Sequence, residues 1–148
     1  MLERKTISAR GPAATLAAAG LALVVGCVSQ LAYEPDVKSI DKMGAEAAKA
    51  RLIEVLTKAR QPHITSVKVT DDSVQYFYDE PTDPFYISTV GNTTQIFFVA
   101  IDRIEVYSNQ NVFVWGAPDH VDKVLFWSPE DARTFADLMM SYRAKVKK

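Results

Sequence analysis

The sequence has little of the residue types on which metal and redox sites depend. Its 148 residues include one cysteine, two histidines and six glycines. A single cysteine cannot form an intramolecular disulfide, and it excludes zinc or iron–sulfur sites made of several thiolates. There is no basic excess either, because 17 Lys and Arg residues are balanced by 18 Asp and Glu residues. We therefore do not expect nucleic-acid binding, which usually shows as a clear surplus of positive charge.

Patterns that indicate catalysis are also missing. No serine stands in a nucleophile-elbow pattern, and the glycines after residue 26 are too scattered to form a phosphate-binding loop. His120 shares a loop with Asp119 and Asp122, whose side chains could touch a cation, but their spacing is not that of paired metal ligands. The acidic loop 79–83 is better explained by turn formation than by acid–base chemistry. We therefore expect no enzyme, no bound cofactor and no metal site.

The first part of the chain has the composition of an export signal. Arg4, Lys5 and Arg10 give it a positive start, and the residues from 13 to 25 are all apolar or small. Such a run fits the roughly 7–15 residues of a signal-peptide core. It is shorter than the about 20 residues that a helix needs to cross a bilayer. The pattern predicts a cleaved signal rather than a permanent membrane helix.

The apolar run ends in Val24-Val25-Gly26-Cys27, which contains the cysteine of the chain. This segment resembles the lipobox of bacterial lipoproteins, in which aliphatic and small residues precede a cysteine. The resemblance implies that the Cys27 thiol is joined to diacylglycerol, that signal peptidase II cuts between Gly26 and Cys27, and that the new amino group is acylated. The alternative is an uncleaved signal anchor in which Cys27 is an ordinary buried cysteine.

The resemblance also implies a location. The lipids would hold the mature chain, residues 27–148, in a membrane of the cell envelope. In Gram-negative members of the family, Asp after the cysteine favours the inner membrane, and here that residue is Val28. The outer membrane is therefore favoured, if the organism has one. Residues 1–26 would be removed, residues 27–40 would form the lipidated N-terminus and a tether, and residues 41–148 would form one β-rich domain.

Hydrophobic periodicity predicts one helix, a series of strands and a second helix. Residues 41–60 have an apolar stripe at helical spacing. A period of two follows, and Gly91-Asn92 is typical of a two-residue hairpin turn. Ser128 and Pro129 are a strong helix start. The predicted strands are residues 65–70, 74–78, 85–90, 95–100, 103–108, 112–116 and 123–127.

About seven strands followed by one amphipathic helix is an order that resembles the pleckstrin-homology-like fold, including its GRAM-type members. The resemblance implies an α+β protein: a strongly bent antiparallel β-sandwich or barrel, preceded by one helix and closed by the C-terminal amphipathic helix. It rests on the aliphatic segment 96–104, on the two strands after it, and on Ser128-Pro129-Glu130-Asp131-Ala132 before a helix with Phe135. Another antiparallel sheet with a packed helix, such as an incomplete calycin-like barrel, is the alternative.

Three predicted strand segments are apolar at nearly every position: residues 96–101, 112–115 and 124–127. Strands of this kind are usually packed against other elements on both faces of the sheet. We expect the helix at 41–60 to cover the outer face, which would otherwise be an apolar docking patch. The side chains predicted to contact a partner are Phe77, Tyr86, Trp115 and Trp127.

These patterns favour a non-catalytic, lipid-anchored envelope protein that binds another envelope component. The membrane itself is the other expected partner, through the anchor. The alternative function is a calycin-like carrier of a small apolar ligand. A carrier would require an interior cavity on the order of a few hundred Å³.

Overall fold

The computed structural model describes residues 28–81, 89–116 and 120–147. The predictions for Gly26, Cys27 and Tyr86 lie outside these residues. The elements in chain order are α1 (Val37–Met43), α2 (Ala45–Thr57), β1 (His63–Val69), β2 (Ser73–Pro81), β3 (Thr89–Phe97), a 3-10 turn (Phe98–Ala100), β4 (Ile101–Val106), β5 (Asn111–Gly116), β6 (His120–Leu125) and α3 (Pro129–Val146). No helix in this part of the chain is long and apolar enough to span a membrane.

The strands form two separate antiparallel sheets, β1-β2-β3 and β4-β5-β6. The predicted seven-stranded, pleckstrin-homology-like sandwich or barrel is therefore wrong, since the described residues form two three-stranded sheets and no closed barrel. The reason lies between β3 and β4. The predicted strand 95–100 ends at Phe97, because Phe98 begins a 3-10 turn and donates its backbone N–H to the Asp72 carbonyl at 2.9 Å. The 3-10 turn interrupts the chain between β3 and β4, and these two strands belong to different sheets.

The predicted hairpin turn at Gly91-Asn92 is also wrong. Both residues lie inside β3, where Gly91 is paired with Asp79 and Asn92 with Tyr78. The register between β2 and β3 runs without interruption from Ser73 to Pro81. Nine consecutive cross-strand pairs outweigh a local turn preference, because each pair adds backbone and side-chain contacts along the ladder.

The single helix predicted at 41–60 is two helices, and this part of the prediction is wrong as well. Gly44 separates α1 from α2 with φ 85° and ψ 157°, a conformation that no helix contains. The expected cover of the outer face is not found either. Helix α2 packs against β1, α1 and α3, whereas Phe97 and Val99 remain 50% and 60% exposed.

The C-terminal helix is confirmed at its predicted start. Ser128 caps α3 by accepting the backbone N–H of Asp131 at 3.1 Å, and Pro129 is the first helical residue. The helix buries one face in a single hydrophobic core shared with α2 and with both sheets. Within that core the Phe98 ring stacks on Tyr142, with centroids 4.6 Å apart.

Residues 29–36, which the sequence predicts to be part of a tether, lie along the domain. The Leu31 N–H donates to the Val106 carbonyl at 2.8 Å, and the Ser108 N–H donates to the Ser29 carbonyl at 3.0 Å. The segment is thereby held beside the end of β4 by a single isolated β-bridge between Gln30 and Tyr107. Farther on, the Tyr33 hydroxyl donates to the Asp137 carboxylate of α3.

Candidate functional site

A cleft of about 510 Å³ lies between the two sheets. It opens where β6 separates from the start of β1. Leu125, at the end of β6, exchanges two backbone hydrogen bonds with Gln61, at 2.8 and 3.1 Å. Beyond that point β1 pairs only with β2 and β6 only with β5. The two strands therefore diverge, and the cleft forms between them.

One side of the cleft is the edge of β6. The N–H and C=O of Leu125 face Gln61. Because backbone groups alternate in direction along a strand, those of Lys123 and Val121 face the same way, toward the cleft. No hydrogen bond between described residues reaches these backbone groups. Among the described residues, the strand donors and acceptors on this edge therefore have no partner, and such an edge is a template for pairing with another extended chain.

The opposite wall comes from the inner face of β2 and β3. Tyr76 and Tyr78 point inward because they alternate with the exposed Phe77, and their ring centroids are 6.0 Å apart. Burial mainly, and the nearby Asp122 carboxylate in addition, raise the pKa of Tyr76, while a hydrogen bond with Thr94 lowers it. The Tyr76 phenol therefore stays protonated at neutral pH and can donate a hydrogen bond.

Asp122 is the carboxylate that β6 directs into the interior. It stands opposite Val114 in the ladder, and its side chain is 11% exposed. The Asp122 carboxylate contacts the His120 ring at 2.9 Å. Burial raises the pKa of Asp122, and the His120 contact lowers it in part. Asp122 also lines a second cavity of about 280 Å³ beside β3 and β5, so one polar group faces both spaces.

Charges of both signs surround the cleft. Arg60, His63 and Lys123 lie near Asp79 and Glu80. In the described part of the chain, no three His, Cys, Asp or Glu side chains are grouped so that they could hold a metal ion. The arrangement provides hydrogen-bond donors and acceptors around an open space. Such groups can form hydrogen bonds with a polar ligand.

The predicted partner contacts do not form one site. Phe77, 39% exposed, is on the outer face of β2. Trp115 is on the outer face of β5, with the Arg103 guanidinium 4.3 Å from its ring centroid. Trp127 follows β6 and is 70% exposed, and the Arg60 guanidinium lies 4.9 Å from its ring centroid. The structure therefore places these three side chains on separate surfaces, outside the cleft.

The sequence reasoning assigned Asp122 to a loop, where it was considered only as a possible cation contact, and it missed the edge of β6. A signal for Asp122 was present, since it lies two residues before Val124, which is fully buried. Alternation along a strand then puts both side chains on the inner face. The edge of β6 had no such signal, because strand order in a sheet cannot be read from periodicity.

Comparison with known proteins assigns no family. No family model, no curated protein and no solved structure matches the chain.

Proposed function

We propose that this chain is a lipid-anchored, non-catalytic protein of the bacterial cell envelope that binds an extended segment of another envelope protein. Support for the anchor comes from the position of the cysteine. It stands at residue 27, after Gly26 and directly behind the apolar run 13–25. Each buried methylene of an attached acyl chain contributes about 0.8 kcal/mol to membrane affinity, so two or three chains give stable attachment. Val28 after the cysteine favours the outer membrane if the organism is Gram-negative.

The observation that carries the binding function is the outward edge of β6 beside the cleft. Peptides often bind by adding a strand to such an edge, with main-chain hydrogen bonds for affinity and pockets for alternate side chains. Here Gln61 already pairs with Leu125 in this way. A partner strand would continue the same line past Lys123 and Val121. Its side chains would then enter the cleft, where Tyr78 and Asp122 can form hydrogen bonds.

The alternative, a carrier of a small apolar ligand, is less well supported by the same geometry. Arg60, Asp79 and Lys123 line the cleft together with the tyrosines. An apolar ligand would leave these polar groups without partners, which disfavours its binding. The interior is occupied by large buried side chains, among them Phe98, Phe126 and Phe135.

The anchor is tested by replacing the modified atom. We expect the wild-type protein extracted from membranes to have the mass of residues 27–148 plus acyl groups. We expect Cys27→Ala to leave the membrane fraction or to remain unprocessed, because no thioether can form. An unmodified chain that starts at residue 1, or a trimmed Cys27→Ala chain that still fractionates with membranes, would contradict the anchor.

The binding mode is tested by a photocrosslinking side chain placed at position 121 in cells. We expect a defined adduct whose yield falls at least about fivefold with Lys123→Pro, since that change removes one outward N–H and adds a bulky ring at the pairing edge. Lys123→Ala is the matched control, because it removes the side chain and keeps the N–H. A second control has the crosslinker at position 93, on the outer face of β3. Equal adduct yields from the proline and alanine variants would refute strand addition at β6.

A further inference from the structure

Several segments come together at the end of the domain that is closest in sequence to Cys27. The backbone of Ser29 pairs with Ser108, in the turn after β4. The Phe126 N–H donates to the Gln110 carbonyl in the same turn, at 3.1 Å. The Arg60 N–H donates to the Leu125 carbonyl at 2.7 Å. We call this surface the proximal end and define it by residues 28–31, 107–110 and 125–127 together with Arg60.

The proximal end contains the most exposed large apolar side chain of the described residues. This is Trp127, 70% exposed, and Val28 is 55% exposed. The Arg60 guanidinium lies 4.9 Å from the Trp127 ring centroid. An indole with one apolar and one polar edge, next to a long basic side chain, is the combination that favours the interface between lipid headgroups and acyl chains.

From these observations we infer that the proximal end rests on the bilayer surface and that Trp127 inserts at the headgroup level. The inference depends on the proposed lipid anchor at Cys27. One residue, Val28, separates Cys27 from Ser29, so the chain from Cys27 to Ser29 spans at most about 7 Å. Because Ser29 is fixed to Ser108, the anchor cannot hold this end far from the headgroups.

The position of Trp127 follows from strand spacing. Residues 29–31 are bridged beside the end of β4, and β4, β5 and β6 follow as neighbours in the sheet. This order puts about 15 Å between residues 29–31 and β6. Trp127 comes two residues after β6 ends at Leu125. The anchor and the tryptophan are therefore two separated points of contact on one end of the domain. Two such points restrict the tilt of the domain, whereas a lipid alone would leave it free to rotate.

We expect charge to contribute little to this contact. Near α2, the Glu54 carboxylate is bound by Arg51 at 2.8 Å and by Lys58 at 2.5 Å. Glu130, in the first turn of α3, is acidic and exposed. Together with Arg60, these side chains are three basic and two acidic groups, so only one positive charge is left over. We therefore expect the contact to depend little on anionic lipid.

The two tryptophans of the chain allow a matched test on the full lipidated protein. In Trp115→Phe the reporter is Trp127, and in Trp127→Phe it is Trp115. Trp115 lies four residues beyond Asn111 on β5, about 13 Å from the proximal end. Both variants are reconstituted into phosphatidylcholine vesicles that contain a lipid with a nitroxide on its headgroup. We expect the nitroxide to quench Trp127 several-fold more than Trp115.

The outcomes separate the anchor from the orientation. A lipidated protein that floats with vesicles but shows equal quenching of both tryptophans would overturn the orientation and leave the anchor intact. A protein that does not float would overturn both. If loss of Trp115 prevents folding, a dye on Asn109→Cys is compared with the same dye on Asp102→Cys, at opposite ends of β4. A blue shift on vesicle binding at position 109 alone supports the inference, and equal shifts refute it.

Discussion

Phe98→Ala should lower the free energy of unfolding by about 3–5 kcal/mol, whereas the same change at the adjacent Phe97 should lower it by only about 1 kcal/mol. The sequence gives these two phenylalanines equivalent surroundings in a predicted doubly covered strand. The structure separates them. Phe98 is fully buried in the 3-10 turn that separates the sheets, and Phe97 is 50% exposed at the end of β3.

The magnitude follows from what Phe98 contacts. Full burial of a phenylalanine side chain is worth about 1.5–3 kcal/mol, and its stacking on Tyr142 at 4.6 Å adds about 0.5–1.5 kcal/mol. The space left by the lost ring adds a cavity term, because the sheets and α3 cannot close it fully. Phe97→Ala leaves no enclosed space and loses about half of one burial term.

Urea unfolding of the lipid-free domain measures the difference. With a slope of about 1–3 kcal/mol per molar urea, the midpoint of Phe98→Ala should fall by at least about 1 M and that of Phe97→Ala by less than half as much. The change in slope should be small in both variants. Equal midpoints for the two variants would refute the assignment of the 3-10 turn to the core, and with it the two-sheet arrangement.

Two further predictions concern α3 and the cleft. Ser128→Ala should cost about 1 kcal/mol in thermal or urea unfolding, because the Asp131 N–H loses the hydroxyl that accepts it at 3.1 Å, and Ser128→Asp should retain most of the stability. Asp122→Asn tests the buried carboxyl. Burial raises the pKa of Asp122 in the folded protein above the usual 3.8, so the free energy of unfolding of the wild type should fall as the pH rises from 3.8 to the raised pKa. The Asn variant has no group that titrates at this position, so its stability should not show this fall. His120→Asn should widen that pH range, because His120 lowers the pKa of Asp122. Identical dependence of stability on pH in the wild type and in Asp122→Asn would refute the raised pKa of Asp122.

The elements that were predicted best from the sequence are those that depend on contacts between residues close together in the chain. The start of α3 depends on Ser128, Pro129 and the acidic residues of the first turn, all within four positions. Capping requires no distant partner, so the sequence pattern and the structure agree there. The strands β1, β2 and β5 were also predicted near their observed positions, because alternation is a local pattern.

The elements that were predicted wrongly from the sequence are those whose conformation, strand or turn, depends on contacts with residues far away in the chain. Gly91-Asn92 has the composition of a turn, yet pairing with Asp79 and Tyr78 keeps it in a strand. Residues 98–100 have the composition of a strand, yet the contacts of Phe98 with Asp72 and Tyr142 form a 3-10 turn. Neither partner is close in sequence, so periodicity could not identify it.

The candidate site was less accessible to sequence reasoning than the fold. Phe77, Trp115 and Trp127, which the sequence predicts to contact a partner, lie on separate surfaces. The cleft instead forms because Gln61 pairs with Leu125 and the two strands beyond them diverge. Asp122 lines that cleft because its side chain is on the inner face of β6. Which face of β6 is the inner one depends on the elements that pack against the strand.

By itself the sequence determined the features that depend on neighbouring residues: the apolar run before Cys27 that predicts an anchor, the amphipathic phase of the strands and the capped start of α3. The tertiary structure alone decided where the strands divide into two sheets, which edge of β6 is open and how residues 29–31 are fixed beside β4. Backbone hydrogen bonds and core contacts join residues far apart in the chain, and their partners are set by the whole fold.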